Sequence, residues 1–280
     1  MDWFGETGRV TDHLELNGAP LTAIDPGLLR ATSYGHFSSL QVRAGRVRGL
    51  PFHVERIDRS SVELFGRGVT EERLRTGIRG ALDRAGQVDA SVRVTAFTRE
   101  RSRLDQGLPV EPDLLVTVSA PIEPTAQSPR LLAVEHERPV PHLKHTGTFS
   151  LVYYGRQAQQ AGHDDALFFD RNGHVSEASI WNVCFARAGR IVWPEAAVLP
   201  GITLQVLQTG LAAIGSPSET RPVRLDELGS FDAAYLTNSI DPALPVGAIT
   251  TPAGTTEYES DGVSADLIAK AYAAMPPDLI

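Results

Sequence analysis

Lysine is nearly absent from this 280-residue chain: of its 26 basic residues, 24 are arginine and only Lys144 and Lys270 are lysine. A guanidinium stays protonated and is a poor nucleophile, so chemistry that needs a primary amine has two side chains to draw on. Cysteine is rarer still. The single Cys184 excludes an internal disulfide and any two-cysteine metal site. Positive charge is in deficit: 34 acidic residues against 26 basic give a formal charge of −8. No net field exists to hold nucleic acid or an anionic membrane. The apolar runs, of which ALFF at 166–169 is typical, fall far short of the ~20 residues that cross a bilayer. The first residues, MDWFGETGRVTDHLELNG, lack the basic start and apolar stretch of a signal peptide. A soluble protein of a reducing cytoplasm is expected, without nucleic-acid or membrane partners.

What is present is ordinary for a globular protein: 42% apolar residues, 25 Gly and 19 Pro. That length makes one large domain or two smaller ones, each with a substantial core. Period-two alternation marks strands at 13–18, 37–45 and 91–99, and a more apolar one at 113–121. PFHVERIDRSSVELFG and TEERLRTGIRGALDRAG read as helices, opened by Pro51 or Thr70 and closed by glycine. PIEPTAQSP (121–129) carries three prolines and few apolar residues, as an extended linker does. Beyond it come a strand (130–137), a helix (148–162), a strand (165–170), an Asn-Gly turn and a long strand over 175–187. A turn at Ala188-Gly189, IVWP, a helix at 203–215, strands at 221–225 and 232–238, and a terminal helix follow. The predicted fold is α+β in two domains: a small α/β domain over 1–120, the 121–129 linker, and a larger domain over 130–280 with an antiparallel or mixed sheet that carries Lys144.

No G-x-G-x-x-G follows a strand, and there is no Walker loop, H-E-x-x-H or G-x-S-x-G. The eight histidines lack metal-ligand spacing, so no metal is expected. Lys270 sits in the amphipathic VSADLIAKAYAAM, where a solvating role suffices. Lys144, between His142 and His145 and in no amphipathic register, is the candidate amine. Glu177 is a lone charge in VSEASIWNV, and a buried charge needs a partner. Pro200-Gly201 leads into a helix whose first amides, at Gly201, Ile202 and Thr203, suit an anion such as phosphate. Thr237-Asn238-Ser239 adds hydroxyl and amide donors, and Arg56 a bidentate cation. An amine, a lone carboxylate, an anion cradle and an arginine are the parts that pyridoxal 5′-phosphate requires.

On these residues the chain resembles the class IV aminotransferases, the fold-type IV pyridoxal-phosphate enzymes. That family includes branched-chain and D-amino-acid aminotransferases and aminodeoxychorismate lyase. The matching segments are RATSYGHFSSLQV (30–42), FHVERIDRSS (52–61), LKH around Lys144, GHDDALFFDRNGHVSEASIWNVCF (162–185), LPGIT (199–203) and YLTNSIDPALPV (235–246), in order along nearly the whole chain. The resemblance implies Lys144 as the Schiff-base lysine and Glu177 as partner of the pyridine nitrogen. It implies Arg56, Ile202, Thr203 and Ser239 as phosphate ligands, with Asn182 and Asn238 in the cofactor environment. The plainer readings stand beside these: Arg56 as one of 24 solvating arginines, Ser239 as a strand-end cap, Asn182 as a turn residue.

Transamination and the lyase reaction both begin by removing a proton from the substrate's Cα, with Lys144 as acid and base. Where amino-acid aminotransferases of the family have Gly-x-Gly-x-aromatic-Glu, this chain reads Tyr34-Gly35-His36-Phe37-Ser38-Ser39. Those two hydroxyls and Lys144-His145 resemble the lyase, while Phe149 stands where branched-chain enzymes carry tyrosine. Tyr34, Phe37, Ser38 and His145 are expected near the substrate, although Phe37 suits a core equally. An aminotransferase acting on a small amino acid or amine and a keto acid is expected. A lyase releasing pyruvate and 4-aminobenzoate is the alternative, and an inactive phosphate-ligand-binding relative a third. A homodimer is implied by resemblance.

Overall fold

The structure, a computed structural model, describes residues 12–21, 33–124, 127–216, 218–259 and 262–280. Arg30 to Thr32 of the RATSYG segment and residues 125 and 126 of the linker lie outside them. The chain divides into two compact units. The first comprises Met1–Ile122, Leu143–Gly147 and Pro277–Ile280, and the second Glu123–His142 and Thr148–Pro276.

The first unit contains β1 (His13–Leu16), β2 (Ala19–Pro20), β3 (Gly35–Val42), β4 (Arg46–Val47), α1 (Leu50–Phe65), α2 (Glu71–Ala85), β5 (Ala90–Phe97), α3 (Arg101–Asp105) and β6 (Asp113–Ser119). Its five-stranded sheet has the order β2-β1-β6-β5-β3, antiparallel throughout. The helix boundaries follow their caps. Pro51 opens α1 and Gly66 closes it at φ 73°, its amide donating to Val62 O; the Thr70 hydroxyl accepts from Arg73 N at the start of α2. Ile57 and Phe65 of α1 and Leu74, Ile78 and Ala81 of α2 make one core with Leu40, Val42, Val92, Val94 and Val116 of the sheet. At roughly 1.5–3 kcal/mol for each large apolar side chain, that burial is the main force holding the unit together.

Leu143–Gly147, expected in the larger domain, joins this first unit. Phe37 N donates to Lys144 O and Thr146 N to Gly35 O, both at 2.9 Å, with His36 and His145 as the bridged pair. The edge of β3 would otherwise present unpaired backbone groups, and the Lys144 segment covers them. The last strand, Asp278–Leu279, pairs with β4, and the Ile280 side chain is buried in the same core.

The second unit runs β7 (Arg130–Glu135), α4 (Phe149–Gln160), β8 (Asp165–Phe169), β9 (Val175–Ala178), β10 (Asn182–Arg187), β11 (Arg190–Pro194), α5 (Ile202–Ala213), β12 (Glu219–Arg221), β13 (Ala233–Thr237), β14 (Leu244–Pro245), β15 (Ala248–Thr251), β16 (Gly254–Glu257) and α6 (Gly262–Ala273). The sheet is mixed: β7 is parallel to β8 and to β15, β11 to β12, and the other pairs are antiparallel. The long strand expected over 175–187 is broken. Ala178 N donates to Trp181 O, closing a turn that folds β10 back against β9 with Asn182 opposite Glu177. The strand expected at 221–225 ends at Arg221, and Leu225–Ser230 is a 3₁₀ helix. Helices α5 and α6 bury Leu207, Leu211, Ile268 and Ala271 with Trp193 and Tyr235, while α4 packs Leu151 and Ala158 with Ala166 and Phe168.

Candidate active site

The first unit holds the amine. Alternation along β3 puts Phe37 on one face and His36 and Ser38 on the other. Lys144, half-buried, lies on the Phe37 side, its Nζ 4.9 Å from the ring centroid. The Arg93 guanidinium is 4.7 Å from the same centroid. On the opposite face α1 presents a buried polar stripe at helical spacing: His53, Arg56, Ser60 and Ser61. Ser38 Oγ and His53 Nδ1 share a 2.7 Å hydrogen bond, and Ser61 Oγ and His36 Nε2 one of 2.9 Å.

Burial, and after it the Arg56 charge, pushes His36 down to about 4. The same two causes, followed by the Lys144 charge, hold His53 well below the ordinary histidine range. Both imidazoles are therefore neutral at pH 7. The charges of Arg56 and Lys144 thus both act on His53. His145 is half-buried beside Lys144. Ser38, expected at the substrate, is instead fully buried against His53. Tyr34 lies against the end of α1, its hydroxyl donating to Leu64 O at 3.4 Å and its ring meeting Phe65 edge-on.

The second unit holds the carboxylate. Glu177, Asn182 and Thr237 are directly opposed on β9, β10 and β13, so their side chains form one row on one face. All three are buried. Glu177 Oε1 accepts from Arg138 Nη1 at 3.3 Å and Oε2 from Leu199 N at 3.1 Å. The Arg138–Glu177 pair is 6% exposed on each side, and the guanidinium compensates a charge that burial alone would penalise severely. Asn182 Nδ2 donates to Leu199 O at 2.8 Å. Thr203 Oγ1, in the first turn of α5, donates to Asn238 O at 2.7 Å, and Asn238 Oδ1 accepts from the amides of Ile240 and Asp241. Ile202 and Thr203 are buried at the helix start, and Ser239 is half-buried in the loop after β13. The structure thus gathers Glu177, Asn182, Thr203 and Asn238 through a chain of short contacts.

Nearby, burial raises Asp165 to about 6, against the hydrogen bonds it accepts from Ser179 Oγ and Ala166 N, each 2.8 Å. Sequence reasoning misses Arg138 and His53. Only His53 leaves a signal there, its three-residue offset from Arg56 on one helix face. No group of three or more possible metal ligands occurs among the described residues.

The donor set fits pyridoxal 5′-phosphate. A buried, charge-compensated carboxylate keeps a second lone pair on each oxygen for a ring N–H. The Thr237 hydroxyl in the same row is buried with no hydrogen-bond partner among the described residues, and the helix start of α5 offers amides to a phosphate. An antiparallel sheet and a mixed one, each packed with helices, a lysine stitched to a strand edge and a buried strand carboxylate define a class. A family model described as "Amino-transferase class IV" matches residues 35–249, and the chain belongs to that family.

It is 35% identical over 95 residues to a probable branched-chain-amino-acid aminotransferase of Synechocystis sp., a stretch covering 33% of this chain and 31% of that protein. It is 28% identical over 128 residues to the chloroplastic branched-chain amino acid aminotransferase 2 of Humulus lupulus, covering 44% and 31%. The matched stretch spans about a third of each of these relatives. Among solved structures, the branched-chain aminotransferase of Thermoproteus uzoniensis with norvaline superposes at a TM-score of 0.78, 20% identity, covering 92% of this chain and 93% of that one. A T.th. branched-chain amino acid aminotransferase with pyridoxamine 5′-phosphate gives 0.78 at 19% identity, covering 94% of each. A PLP-bound hypothetical aminotransferase from Mycobacterium tuberculosis gives 0.76 at 19%, covering 94% and 98%. The fold is that of the fold-type IV aminotransferases. No helix among the described residues is long and apolar enough to cross a membrane.

Proposed function

We propose that this chain is a pyridoxal-phosphate-dependent aminotransferase that moves an amino group between a small amino acid or amine and a keto acid. The observation that carries the reading is Lys144: one of two primary amines on side chains, fixed to β3 by its own backbone carbonyl, with its Nζ 4.9 Å from the centroid of the Phe37 ring. When bound, the cofactor supplies an electron sink for charge developing at the substrate's Cα. Lys144 Nζ would hold the aldehyde and, once the donor's amine has displaced it, would be free to take and return the Cα proton. Glu177 would accept the pyridine N–H, its two oxygens fixed by Arg138 and Leu199 N. By the family resemblance, Arg56, the amides of Ile202 and Thr203, and Ser239 would be the groups that hold the phosphate. Phe37, whose ring centroid is 4.9 Å from Nζ, would line the substrate side of the amine, and His145 adjoins it in sequence. The relatives named as branched-chain aminotransferases and the apolar Phe37 ring favour a donor with an apolar side chain.

The test is spectroscopic and then chemical. Purified protein given the cofactor should turn yellow, and borohydride should fix the cofactor's mass on the peptide containing Lys144. A donor and acceptor screen should convert the spectrum to that of the pyridoxamine form with release of a keto acid. Pyruvate from aminodeoxychorismate, with no spectral change and no keto acid formed from any amino donor of the screen, would overturn transamination in favour of the lyase.

A further inference from the structure

We propose that Asn182 is a positioning residue that sets the start of α5 in register with Glu177 by clamping the backbone of Leu199. The inference rests on the reading of Glu177 and α5 as the two ends of a cofactor site. Glu177 and Asn182 are a directly opposed pair on β9 and β10, side by side on one face of the sheet. Between them they grip a single residue: Leu199 N donates to Glu177 Oε2 at 3.1 Å, and Leu199 O accepts from Asn182 Nδ2 at 2.8 Å. Two residues on, Gly201 is the N-cap of α5 and makes no side-chain cap. A Cβ at 201 would overlap Asn182 Oδ1, so the same amide that holds Leu199 with its nitrogen turns its oxygen onto the cap residue. The constraint at 201 is one of space against the Asn182 side chain, since its φ of −58° is open to any residue.

On its other side the helix start is tied by the 2.7 Å bond from Thr203 Oγ1 to Asn238 O. A helix without a cap of its own is therefore placed from outside, by the strand row on one flank and the loop after β13 on the other. Asn182 needs no contact with the cofactor to matter. It fixes the distance between the carboxylate that meets the ring and the amides that meet the phosphate.

Titrating the cofactor-free full chain with pyridoxal 5′-phosphate and, separately, with pyridoxal isolates the phosphate end. The ratio of the two affinities measures what α5 contributes. Asn182→Ala should lower that ratio about tenfold, the worth of one buried hydrogen bond, and leave pyridoxal binding within about twofold. Gly201→Ala should lower it similarly, and Gly201→Ala added to Asn182→Ala should lower it no further, because the overlap has gone. Should Asn182→Ala fail to unfold cooperatively, Asn182→Ser, which keeps a shorter donor, is read in the same way. Equal losses for both ligands, an unchanged ratio, or additive losses in the double variant would overturn the clamp while leaving the cofactor reading standing. Wild-type protein that takes up neither ligand overturns both.

Discussion

Lysine-to-arginine replacement at 144 separates charge from nucleophilicity. Lys144→Arg keeps a cation beside Phe37 and the backbone bond to Phe37 N, so stability should move by less than about 1 kcal/mol. Borohydride treatment should then leave the 144 peptide at its unmodified mass, and no donor should change the spectrum. A cofactor adduct found on any other peptide of the variant would assign the amine elsewhere. At this scale the sequence speaks where a residue type is scarce or out of place. Lys144 stands out in a chain of arginines, and Glu177 in an apolar stretch. Arg138 does not, because one arginine among 24 carries no mark, and its role is visible only once Glu177 is found 3.3 Å away. Ser38 adjoins Phe37 in sequence, yet a strand sends consecutive side chains to opposite faces.

Two glycines on helices of the two units have opposite expectations. Gly210 of α5 lies against the backbone of α6, where a Cβ would overlap Ala271 O. Backbone cannot yield as a flexible side chain does, so Gly210→Ala should cost roughly 2–4 kcal/mol, read as a lower denaturant midpoint. Gly77, in the interior of α2, has nothing within 4 Å of the place a methyl would occupy, and Gly77→Ala should raise stability by about 0.5–1 kcal/mol. Helices α1 and α2 were legible to within a residue because Pro51, Thr70, Gly66 and Gly86 punctuate them. The turn from Ala178 to Trp181 was not, since Ala-Ser-Ile-Trp contains none of the glycine, proline or asparagine that usually marks a reversal. That miss concealed the pairing of Glu177 with Asn182. The β15–β16 hairpin escaped for another reason: short, Thr-rich strands closed by Gly254 at φ 138° carry little apolar alternation.

Acid should act on the two units in opposite directions. The first unit buries His36 and His53 with folded values below the ordinary 6.5, so their contribution is present above about pH 6.5 and is lost as pH falls towards about 4. The second buries Asp165 with a value raised from 3.8 to about 6, so its contribution is full at low pH and is lost as pH rises through about 6. The shift of either His36 or Asp165 corresponds to a contribution on the order of 3 kcal/mol. Amide hydrogen exchange at pH 5 and pH 7, corrected for intrinsic rates, should show α1 peptides losing protection on acidification and β8 peptides gaining it. Movement of both in the same direction would contradict this assignment. The α+β class was legible from periodicity, but the ownership of residues 143–147 was not, because it depends on pairing with a strand more than a hundred residues earlier. The first unit is thus threaded from three separate stretches of chain, the second from two. Its inheritance is constrained accordingly: a single genetic crossover between two such sequences, wherever it falls between residues 33 and 277, yields a first unit of mixed parentage. Shuffled descendants would have to match strand edge, amine segment and closing residues drawn from different ancestors.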